Sequence, residues 1–411
     1  MTLATRQDWA VRIERELREN ILPFWMRHTV DRENGGFYGK IGCDGSIDRE
    51  SPRTSVINSR ILWTFSAASR LVDAEYVATA DWAYDYIVKK FWDAEYGGVY
   101  WWLDHQGYPL SLRKQIYAQA FAVYAMAEYY RATGKPEARE FAQRLFRLIE
   151  DHSHDAVWKG YLEACGRDWS ALDDLRLSEK DLNCPKSMNT HLHVMEAYTN
   201  LLRVWRDPEL VARQKELLEV TMDLIVDNAT GHFKMFFDNQ WNSLSDHVSF
   251  GHDIEGSWLI LEAAEVLGDT ALADRARKLA VRMAQTVYEE GLDKDGSLFY
   301  EADSKGVMTD PKKHWWAQAE AVVGFYNAYQ LSGQEHFLNQ AYRVWEYIEE
   351  KIVDRVHGEW HAKLSPAGVP YLEKEDPDAC LAGPWKCPYH NSRVCYEMME
   401  RLKKSGDESI L

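Results

Sequence analysis

The stretch DRENGGFYG, residues 31–39, is the first of six related segments in this chain. In each of them an aspartate is followed three to five residues later by glycine and then, within a few residues, by an aromatic side chain. The other copies are DAEYGGVYW from Asp93, DAVWKGYLE from Asp155, DNATGHFKM from Asp227, DKDGSLFYE from Asp293 and DRVHGEWHA from Asp354. Successive aspartates are 62, 62, 72, 66 and 61 residues apart. A near-constant period over the whole length indicates one structural unit built six times.

Each unit is predicted to contain two helices. Short turn or helix-stop signals lie between the aspartate copies, at 71–73, 133–136, 206–208, 268–270 and 332–334. On both sides of them, apolar residues recur at helical spacing, as in Ile61, Leu62, Phe65, Ala68 and Leu71. We therefore predict an all-α fold of roughly twelve helices, an (α/α)6 barrel of six helical hairpins. An open solenoid of six hairpins is the alternative, although the sequence shows no obvious pair of polar caps for its ends.

Composition limits the domain organisation and the partners. The chain has 411 residues, of which 46% are hydrophobic, enough for a large core. Because the period runs through without a Pro/Ser-rich linker, residues 1–411 are predicted to form a single barrel domain. The net charge of -17 argues against nucleic acid and against an anionic membrane surface as partners.

The N-terminal sequence and the cysteines bear on the cellular compartment. Residues 1–25 are predicted to form an amphipathic helix with Trp9, Ile13, Leu17 and Ile21 on one face, rather than a signal peptide. No apolar run is long enough to cross a membrane. Six cysteines are scattered without CxxC spacing, which predicts reduced thiols. The expectation is a cytoplasmic protein, with a monomer as the simplest assembly.

Function is expected at the long connections that carry the aspartate copies, because long loops on a rigid scaffold usually hold the site. In a barrel all six would lie at one end and lead into inner helices whose first turns face a common cavity. The starts of these helices are polar and aromatic: Asn58 and Arg60; Tyr117 and Gln119; Asn189, His191 and His193; His252, Asp253 and Glu255; Trp315, Trp316, Gln318 and Glu320; Trp385, Tyr389, His390, Asn391 and Arg393.

Histidine is the most informative residue type at these helix starts. A lone histidine on a helix is more often a satisfied core residue than a functional one. His193, His252 and His390, however, are predicted to take the same position in three repeat units, which indicates a shared functional cavity.

A metal site is the first chemistry to weigh. His191 and His193 are two residues apart and would point about 200° from each other on a helix, so both cannot bind one ion. His252 and Glu255 share a face, as half of a ligand set or as a carboxylate that holds an imidazole. No HExxH motif and no Cys/His cluster with zinc spacing is present. We therefore expect no metal.

Glycoside hydrolysis is the second chemistry, and it needs two carboxylates about 6.5–9.5 Å apart for inversion. Glu196, Glu255 and Glu320 are candidates, but each lies beside histidines or tryptophans. Histidine outnumbers carboxylate at the leading positions. This favours proton abstraction near neutral pH, because imidazole, with a pKa of about 6.5, serves as acid or base. A hydrolase stays open at this point, as does a sugar-binding barrel without catalysis.

Tryptophan content points to a carbohydrate ligand. Seventeen tryptophans are many for this length, and aromatic faces suit the apolar C–H surface of sugar rings. Many of them must simply fill the core of a large barrel. Trp315, Trp316 and Trp385 are harder to explain in that way. Trp385 lies in the long connection 365–388, which we interpret as a possible lid.

At its helix starts the sequence resembles the N-acylglucosamine 2-epimerase family, and within it the cellobiose 2-epimerases. The matching stretches run in order through nearly the whole chain: GGFYG (35–39), NSRILWTFSAA (58–68), YAQAF (117–121), NTHLHVMEAYTNL (189–201), FGHDIEGSWL (250–259), WWAQAE (315–320) and GPWKCPYHNSR (383–393).

The resemblance implies reversible epimerisation at C2 of the reducing-end glucose of β-1,4-linked disaccharides such as cellobiose and lactose, through a cis-enediolate and without a cofactor. By matching position, His252 and His390 would be the acid/base pair and His193 would assist them. The substrate-binding residues implied are Arg60, Tyr117, Asn189, Glu255, Trp315 and Trp385. Mannose isomerases and N-acylglucosamine epimerases, which share the barrel and some histidines, remain an alternative.

Overall fold

The computed structural model describes residues 3–407. Its six outer helices are α1 (Leu3–Arg15), which a π-helical turn (Glu16–Ile21) joins to α2 (Leu22–His28), then α4 (Val77–Tyr86), α6 (Pro136–His152), α8 (Pro208–Val220), α10 (Thr270–Glu290) and α12 (Glu335–Tyr347). The six inner helices are α3 (Ser55–Leu71), α5 (Ile116–Thr133), α7 (Met188–Leu202), α9 (Phe250–Leu267), α11 (Trp315–Ser332) and α13 (Tyr389–Asp407). The helix predicted over residues 1–25 is present from Leu3 onward. Residues 1, 2 and 408–411 lie outside the described residues.

The inner helices form a closed ring. Each packs against the next along the chain, and α13 returns to pack against α3. The first outer helix also packs against α13, so the N-terminal segment completes the last hairpin. The protein is therefore an (α/α)6 barrel, as predicted, and the open solenoid is wrong. A closed ring needs no polar end caps, since no hairpin is left with an unpaired face.

Short strands link the long connections at one end of the barrel. They are β1 (Lys40–Gly42), β2 (Ile47–Asp48), β3 (Arg53–Thr54), β4 (Trp102–Leu103), β5 (Pro109–Ser111), β6 (Lys114–Gln115), β7 (Ala164–Cys165), β8 (Lys186–Ser187), β9 (Phe236–Phe237), β10 (His247–Ser249), β11 (Glu301–Asp303), β12 (Met308–Asp310), β13 (Lys313–His314), β14 (Lys363–Leu364) and β15 (Cys380–Ala382). The strand just before an inner helix pairs with the connection of the following unit, as β3 does with β4 and β6 with β7. Pairing of β15 with β1 joins the sixth connection to the first and closes this second ring.

The repeated aspartate holds the turn that starts each connection. In the second copy, Asp93 N–H donates to the carbonyl of Gly98 at 2.9 Å, and the Asp93 carboxylate accepts from Glu95 N–H at 3.1 Å. Gly98 has φ of +76°, a conformation that glycine adopts without strain. The carboxylate also pairs at 3.0 Å with Lys114, which lies in β6, two residues before α5. Similar ion pairs join Asp31 to Arg53, Asp155 to Lys186 and Asp293 to Lys313.

A side chain in the first turn of the inner helices hydrogen-bonds the same connection, and we call it the anchor residue. Gln119 of α5 accepts from Val99 N–H and donates to the Val99 carbonyl, each at 2.8 Å. The other anchor residues with a bond to the backbone of the motif are His191 to Tyr161, Asp253 to Phe233 and Gln318 to Leu298. Asn58 and Asn391 take the equivalent position, each at the start of a repeated Asn-Ser-Arg triplet. These bonds fix the axial register of α5, α7, α9 and α11 against their repeat motifs.

His191 is thereby a structural residue. Its Nε2 accepts from Tyr161 N–H at 2.8 Å and its Nδ1 lies 2.6 Å from the Ser187 carbonyl. Burial lowers the pKa of His191 to about 4, so the ring stays neutral and can use one nitrogen as donor and one as acceptor. The sequence predicted that His191 and His193 point in different directions, and in the structure His191 does not share a site with His193.

The far end of the barrel has the tight turns that the sequence predicted. Helices α5, α9 and α11 end at Gly134, Gly268 and Gly333, each in the left-handed conformation of a C-terminal cap. Asp207 and Asp269 cap the starts of the outer helices α8 and α10. Among the described residues, no helix is long and apolar enough to cross a membrane. All six cysteines are free thiols.

The buried ion pair of the first unit should contribute strongly to stability. Arg53→Met leaves the carboxylate of Asp31, which is 1% exposed, without its guanidinium partner. We expect the free energy of unfolding in urea to fall by about 3–5 kcal/mol. Lys89→Met, which breaks the exposed pair with Asp85, is the matched control and should cost no more than about 1 kcal/mol. Equal losses in the two variants would contradict a structural role for the motif aspartate.

Candidate active site

Six buried side chains form a layer across the barrel just inside the mouth at the long connections. Each lies two residues after the anchor position of its inner helix: Arg60, Phe121, His193, Glu255, Glu320 and Arg393. Several neighbours in the layer are in contact. The Arg60 guanidinium lies 4.2 Å from the Phe121 ring centroid, and the Phe121 and His193 rings are 4.8 Å apart. We call this set the central layer.

Arg393 is the positive centre of the layer. Its guanidinium, 2% exposed, binds the carboxylates of Glu196, Glu255 and Glu320, the last at 2.5 Å. It also donates to the Tyr389 hydroxyl. One guanidinium has five N–H donors in a rigid fork and can serve three carboxylates and a hydroxyl, whereas a lysine has only three donors.

The carboxylates around Arg393 differ in their pKa. Burial acts to raise the pKa of Glu196, but Arg393 and His193 outweigh it and hold that pKa at about 2. For Glu255, burial and the neighbouring Glu320 outweigh Arg393 and raise the pKa to about 7. Burial likewise raises the pKa of Glu320. The cluster therefore keeps one firmly ionised carboxylate and a second that exchanges a proton near neutral pH.

His390 lies at the second position of α13 and is held by Glu320. Its Nδ1 is 2.7 Å from Glu320 Oε1, and the other oxygen of that carboxylate accepts from the indole N–H of Trp258 at 3.1 Å. Burial, and next the charges of Arg60 and Arg393, lower the pKa of His390 well below its ordinary value. A neutral imidazole that donates from Nδ1 has a free lone pair on Nε2 and is suited to act as a base.

His252 lies at the third position of α9. Its Nδ1 is 2.7 Å from the Ser249 hydroxyl, and part of the side chain stays accessible to the cavity. Burial, with a smaller contribution from His193, lowers the pKa of His252 to about 3. The His252 and His390 ring centroids lie 4.8 Å and 5.5 Å from that of Trp316, so the two neutral imidazoles flank one indole.

Two expectations about the histidines are corrected. Glu255 does not hold His252, because Arg393 binds its carboxylate; Ser249 takes that place. The three histidines do not share one repeat position either. His252 and His390 directly precede the anchor positions 253 and 391, whereas His193 follows the anchor His191 by two residues and belongs to the central layer. The position of a histidine relative to the anchor residue therefore decides which way its side chain points. Its presence near the start of an inner helix does not by itself predict this direction.

His193, Tyr117 and Arg60 meet on the opposite side of the layer. His193 Nδ1 is 2.8 Å from Glu196, and its ring packs edge-on against Tyr117 at 5.0 Å. Arg60 donates to the Tyr117 hydroxyl at 2.8 Å. Asn189 is half-buried one helical turn before His193, on the same face of α7.

Two tryptophans complete the walls. Trp385 is half-buried between Trp101 and Tyr117, with ring centroids 6.1 Å and 6.2 Å away. Trp315 lies beside His390 at 6.4 Å. Within the described residues, buried Arg60 Nε, Asn189 Oδ1 and Trp315 Nε1 have no hydrogen-bond partner. Unpaired polar atoms near the starts of three inner helices, α3, α7 and α11, are suited to a ligand rich in hydroxyl groups.

The connection 365–388, interpreted from sequence as a possible lid, is tied to the barrel at several points. Its residues 380–382 form β15, which pairs with β1. Lys363 binds Asp376 at 2.9 Å and Asp378 at 3.1 Å, and Lys180 of the third connection reaches Asp378 at 3.4 Å. Trp385 therefore stands on an anchored segment, and the third and sixth connections meet at the mouth.

One group of possible metal ligands occurs in the part of the chain that the structure describes. The ligand atoms of Glu255, Glu320 and His390 lie within 4.8 Å of one another. The guanidinium of Arg393 binds both carboxylates and so supplies the positive charge that a cation would bring. Metal independence stays a prediction.

Sequence reasoning missed Arg393 as the centre of the carboxylate cluster and Glu320 as the partner of His390. The sequence does contain a feature that points to Arg393. The triplet Asn-Ser-Arg occurs at 58–60 and again at 391–393, which places Arg393 at the repeat position of Arg60. The contacts of both residues depend on packing between units that are distant in the sequence.

These features define an (α/α)6-barrel protein with a polar, histidine-containing cavity at one mouth. A profile of the N-acylglucosamine 2-epimerase (GlcNAc 2-epimerase) family matches residues 36–381, and the chain belongs to this family. It is 46% identical to a cellobiose 2-epimerase of Bacteroides fragilis over 94% of this chain and 97% of the relative.

Other relatives place the chain within the family. A solved structure of a cellobiose 2-epimerase from Bacillus thermoamylovorans B4167 superposes with a TM-score of 0.91 at 39% identity, over 96% of this chain and 100% of that one. Identity falls to 24% with the N-acylglucosamine 2-epimerase of Rattus norvegicus, over 97% of this chain and 92% of the relative.

The raised pKa of Glu255 should appear in the pH dependence of stability. A carboxyl whose pKa is about 7 when folded and 4.5 when unfolded binds its proton more tightly in the folded state, so the free energy of unfolding falls as pH rises between these values. Glu255→Gln removes this titration. In urea unfolding, we expect the stability of the variant relative to the wild type to increase across that window. A difference that does not change with pH would contradict this assignment.

Proposed function

We propose that this protein catalyses reversible epimerisation at C2 of the reducing-end glucose of β-1,4-linked disaccharides such as cellobiose and lactose, giving the mannose epimer. The observation that carries the proposal is the pair of neutral imidazoles, His252 and His390, from different inner helices and against the same Trp316. Inversion at one carbon requires a proton to leave one face of a planar intermediate and another to arrive at the opposite face. The relatives named cellobiose 2-epimerase support this reaction over others in the family.

In the proposed reaction the proton removed from C2 is replaced by another proton. After the sugar ring opens, one imidazole removes the C2 proton and becomes imidazolium, while the electron pair moves to the carbonyl oxygen at C1 to give the cis-enediolate anion; the C1 carbonyl re-forms when C2 is protonated again. The second imidazole, protonated in the course of turnover, returns a proton to the other face of C2. In the reverse reaction the two exchange roles. We assign this pair to His252 and His390 and an assisting role in ring opening to His193, without fixing which of the pair acts first.

Oxyanion charge at C1 and C2 needs fixed donors in a site of low dielectric. Arg60 is proposed for this role, because nearby Tyr117 and other groups raise its pKa against the effect of burial and keep it a cation. Asn189, on the same face of α7 as His193, would bind the oxygens at C1 to C3. Glu255 would act through Arg393, with which it shares an ion pair.

The second sugar ring would lie toward the mouth, where Tyr117 and Trp385 form an aromatic corner and Trp315 borders the reacting sugar. We propose that residues 1–411 act as a single catalytic domain, as a monomer in the cytoplasm, with the disaccharide as the partner and no cofactor.

An inverting hydrolase is disfavoured by the distance between the carboxylates, and a retaining one by their ion pairs. Oxygens of Glu255 and Glu320 lie within 4.8 Å of each other, closer than the roughly 6.5–9.5 Å that admits a water for inversion. Both carboxylates also bind Arg393, so neither is a free nucleophile for the retaining route. Glu196 is bound to the same guanidinium.

The decisive experiment is incubation of the protein with cellobiose in D2O, followed by separation of the sugars. Glucosyl-mannose with deuterium at C2 is expected, because imidazoles in an open cavity exchange protons with solvent. Free glucose would indicate a hydrolase, and unchanged cellobiose a binding protein. Retention of the original hydrogen at C2 would contradict the two-histidine exchange. A parallel reaction after dialysis against a chelator tests metal independence, and loss of activity restored by a divalent ion would contradict it.

His252→Ala and His390→Ala should each lower kcat on cellobiose far more than they raise KM. A general acid or base contributes about 10²–10⁴-fold, and the two losses will not add in the double variant because the groups act in one sequence. His28→Ala, on the exposed side of an outer helix, is the control and should leave both constants unchanged. Near-normal turnover in either site variant would remove that histidine from the pair.

Trp385→Ala should reduce activity on disaccharides selectively. If the indole stacks on the second sugar ring, its loss costs about 1–1.5 kcal/mol of contact energy. The value of kcat/KM for cellobiose would then fall roughly 5- to 12-fold. Any weak activity on glucose or mannose should fall less, since these lack the second ring. Equal losses on both kinds of substrate would instead assign Trp385 to supporting the Tyr117 side of the cavity.

A further inference from the structure

One position of the repeat motif separates the two units that supply His252 and His390 from the others. It is the residue whose carbonyl accepts from the motif aspartate N–H, at 2.8–3.0 Å in all six copies. Four units have a small residue there, namely Gly36, Gly98, Gly160 and Ser297. The fourth unit has His232 and the sixth has Glu359. The units that differ are those whose inner helices carry the proposed acid/base pair.

Glu359 occupies this position against the preference of the backbone. Its φ is +68°, in the left-handed region that Gly36, Gly98 and Gly160 adopt in their units. A side chain with a Cβ is disfavoured in that region, and strain of this kind persists where the surroundings over-determine it. Glu359 is also completely buried. A glycine would be the unstrained choice, as the first three units show, so the carboxylate must be retained for what it binds.

The carboxylate of Glu359 is fully used. One oxygen accepts from the Trp25 indole N–H at 2.8 Å and from Asn391 Nδ2 at 2.7 Å. The other accepts from Trp360 N–H and from Lys386. Four donors match the roughly four lone-pair sites of an ionised carboxylate. No neutral side chain of similar size offers four acceptors.

Two of these donors lead to His390. Asn391 takes the anchor position of α13 and directly follows His390 in the chain. Lys386 Nζ lies 5.3 Å from the Trp315 ring centroid, and Trp315 in turn packs beside His390 at 6.4 Å. Glu359 therefore binds the start of α13 through Asn391 and, through Lys386, supports Trp315, which packs beside the His390 ring.

His232 has the corresponding contacts in the fourth unit. Its Nδ1 is 2.7 Å from Asp253 Oδ2, and its Nε2 is 3.2 Å from Glu290 on α10. Asp253 is the anchor residue of α9 and directly follows His252. Burial acts to lower the pKa of His232, but Asp253 and Glu290 outweigh it and raise that pKa to about 9. As a cation at neutral pH, His232 can donate from both nitrogens.

We propose that Glu359 and His232 are positioning residues for His390 and His252: each binds the anchor side chain that follows its histidine and so fixes where the imidazole meets the substrate. The proposal rests on the proposed function, since it assigns the two residues to the same proton transfers. Gln119 and Gln318 show that a neutral anchor is sufficient to hold an inner helix. An ionisable motif residue, His232 or Glu359, occurs where a histidine precedes the anchor position.

The test compares Glu359→Gly and His232→Ala with control variants of residues that hydrogen-bond to the same two turns. Asn20→Ala removes the bond from Glu359 N–H to Asn20 at 2.8 Å, and Thr286→Val removes the bond from Thr286 to the Thr230 carbonyl at 2.8 Å. Both controls loosen the turn without touching an anchor side chain. A misplaced imidazole should lower kcat on cellobiose by about 10²-fold with little change in KM. The controls should retain kcat at a comparable loss of Tm.

A second measurement keeps this test separate from the proposed function. A crystal structure of Glu359→Gly should show the His390 ring displaced from its 2.7 Å contact with Glu320. This outcome is informative even if the wild-type protein does not epimerise cellobiose, a result that would reject the proposed function alone. Normal kcat in Glu359→Gly and His232→Ala, losses of kcat equal to those of the controls, or an unmoved His390 would each overturn the positioning role. Glu359→Gln replaces one acceptor oxygen with an NH2 donor, so Trp360 N–H or Lys386 loses its acceptor and kcat should stay as low as in Glu359→Gly. Normal kcat in Glu359→Gln would contradict the need for four acceptors.

Discussion

The hydrogen bond between an inner-helix side chain and the backbone of its repeat motif is the constraint on which the rest of the barrel depends. Gln119 and Gln318 show it in its simplest form, with one amide that satisfies both the N–H and the carbonyl of a residue in the turn. A buried backbone group left without a partner is costly, so these turns can approach the barrel only where an anchor side chain meets them; Asn391 meets its turn through the side chain of Glu359 instead. The anchors set the axial register of the helices, and the register places the residues two positions later in one layer.

That layer concentrates charged side chains in the barrel interior, where removing a charge from water costs free energy. Three carboxylates and one guanidinium, with exposures of 1–2%, meet at Arg393. Replacing such a cluster by apolar residues is often neutral or stabilising for a protein, so its presence is weak evidence for a role in stability. The cluster has another consequence here. Glu320 binds both Arg393 and His390, and the nearby positive charges help to keep that imidazole neutral.

The same repeat supports both architecture and chemistry because its positions tolerate different residues. At the anchor position the units use asparagine, glutamine, histidine and aspartate. At the motif position whose carbonyl accepts from the aspartate N–H they use glycine, serine, histidine and glutamate. A turn that is satisfied by several donors and acceptors lets side chains vary while the backbone keeps its course. Six copies of one unit can therefore enclose a single asymmetric cavity.

The sequence alone determined the number of units, the alternation of helices and long connections, and the end of the barrel at which polar and aromatic residues gather. These are local properties, carried by periodicity and turn chemistry within one unit. Tertiary structure decided that the ring closes, through α13 against α3 and β15 against β1, and which carboxylate serves which histidine. Glu255 is three residues from His252 yet binds Arg393, 138 residues away. Contacts of this kind depend on how six helices pack around a common axis, and that packing, not the spacing along one helix, selects the partners of a buried charge.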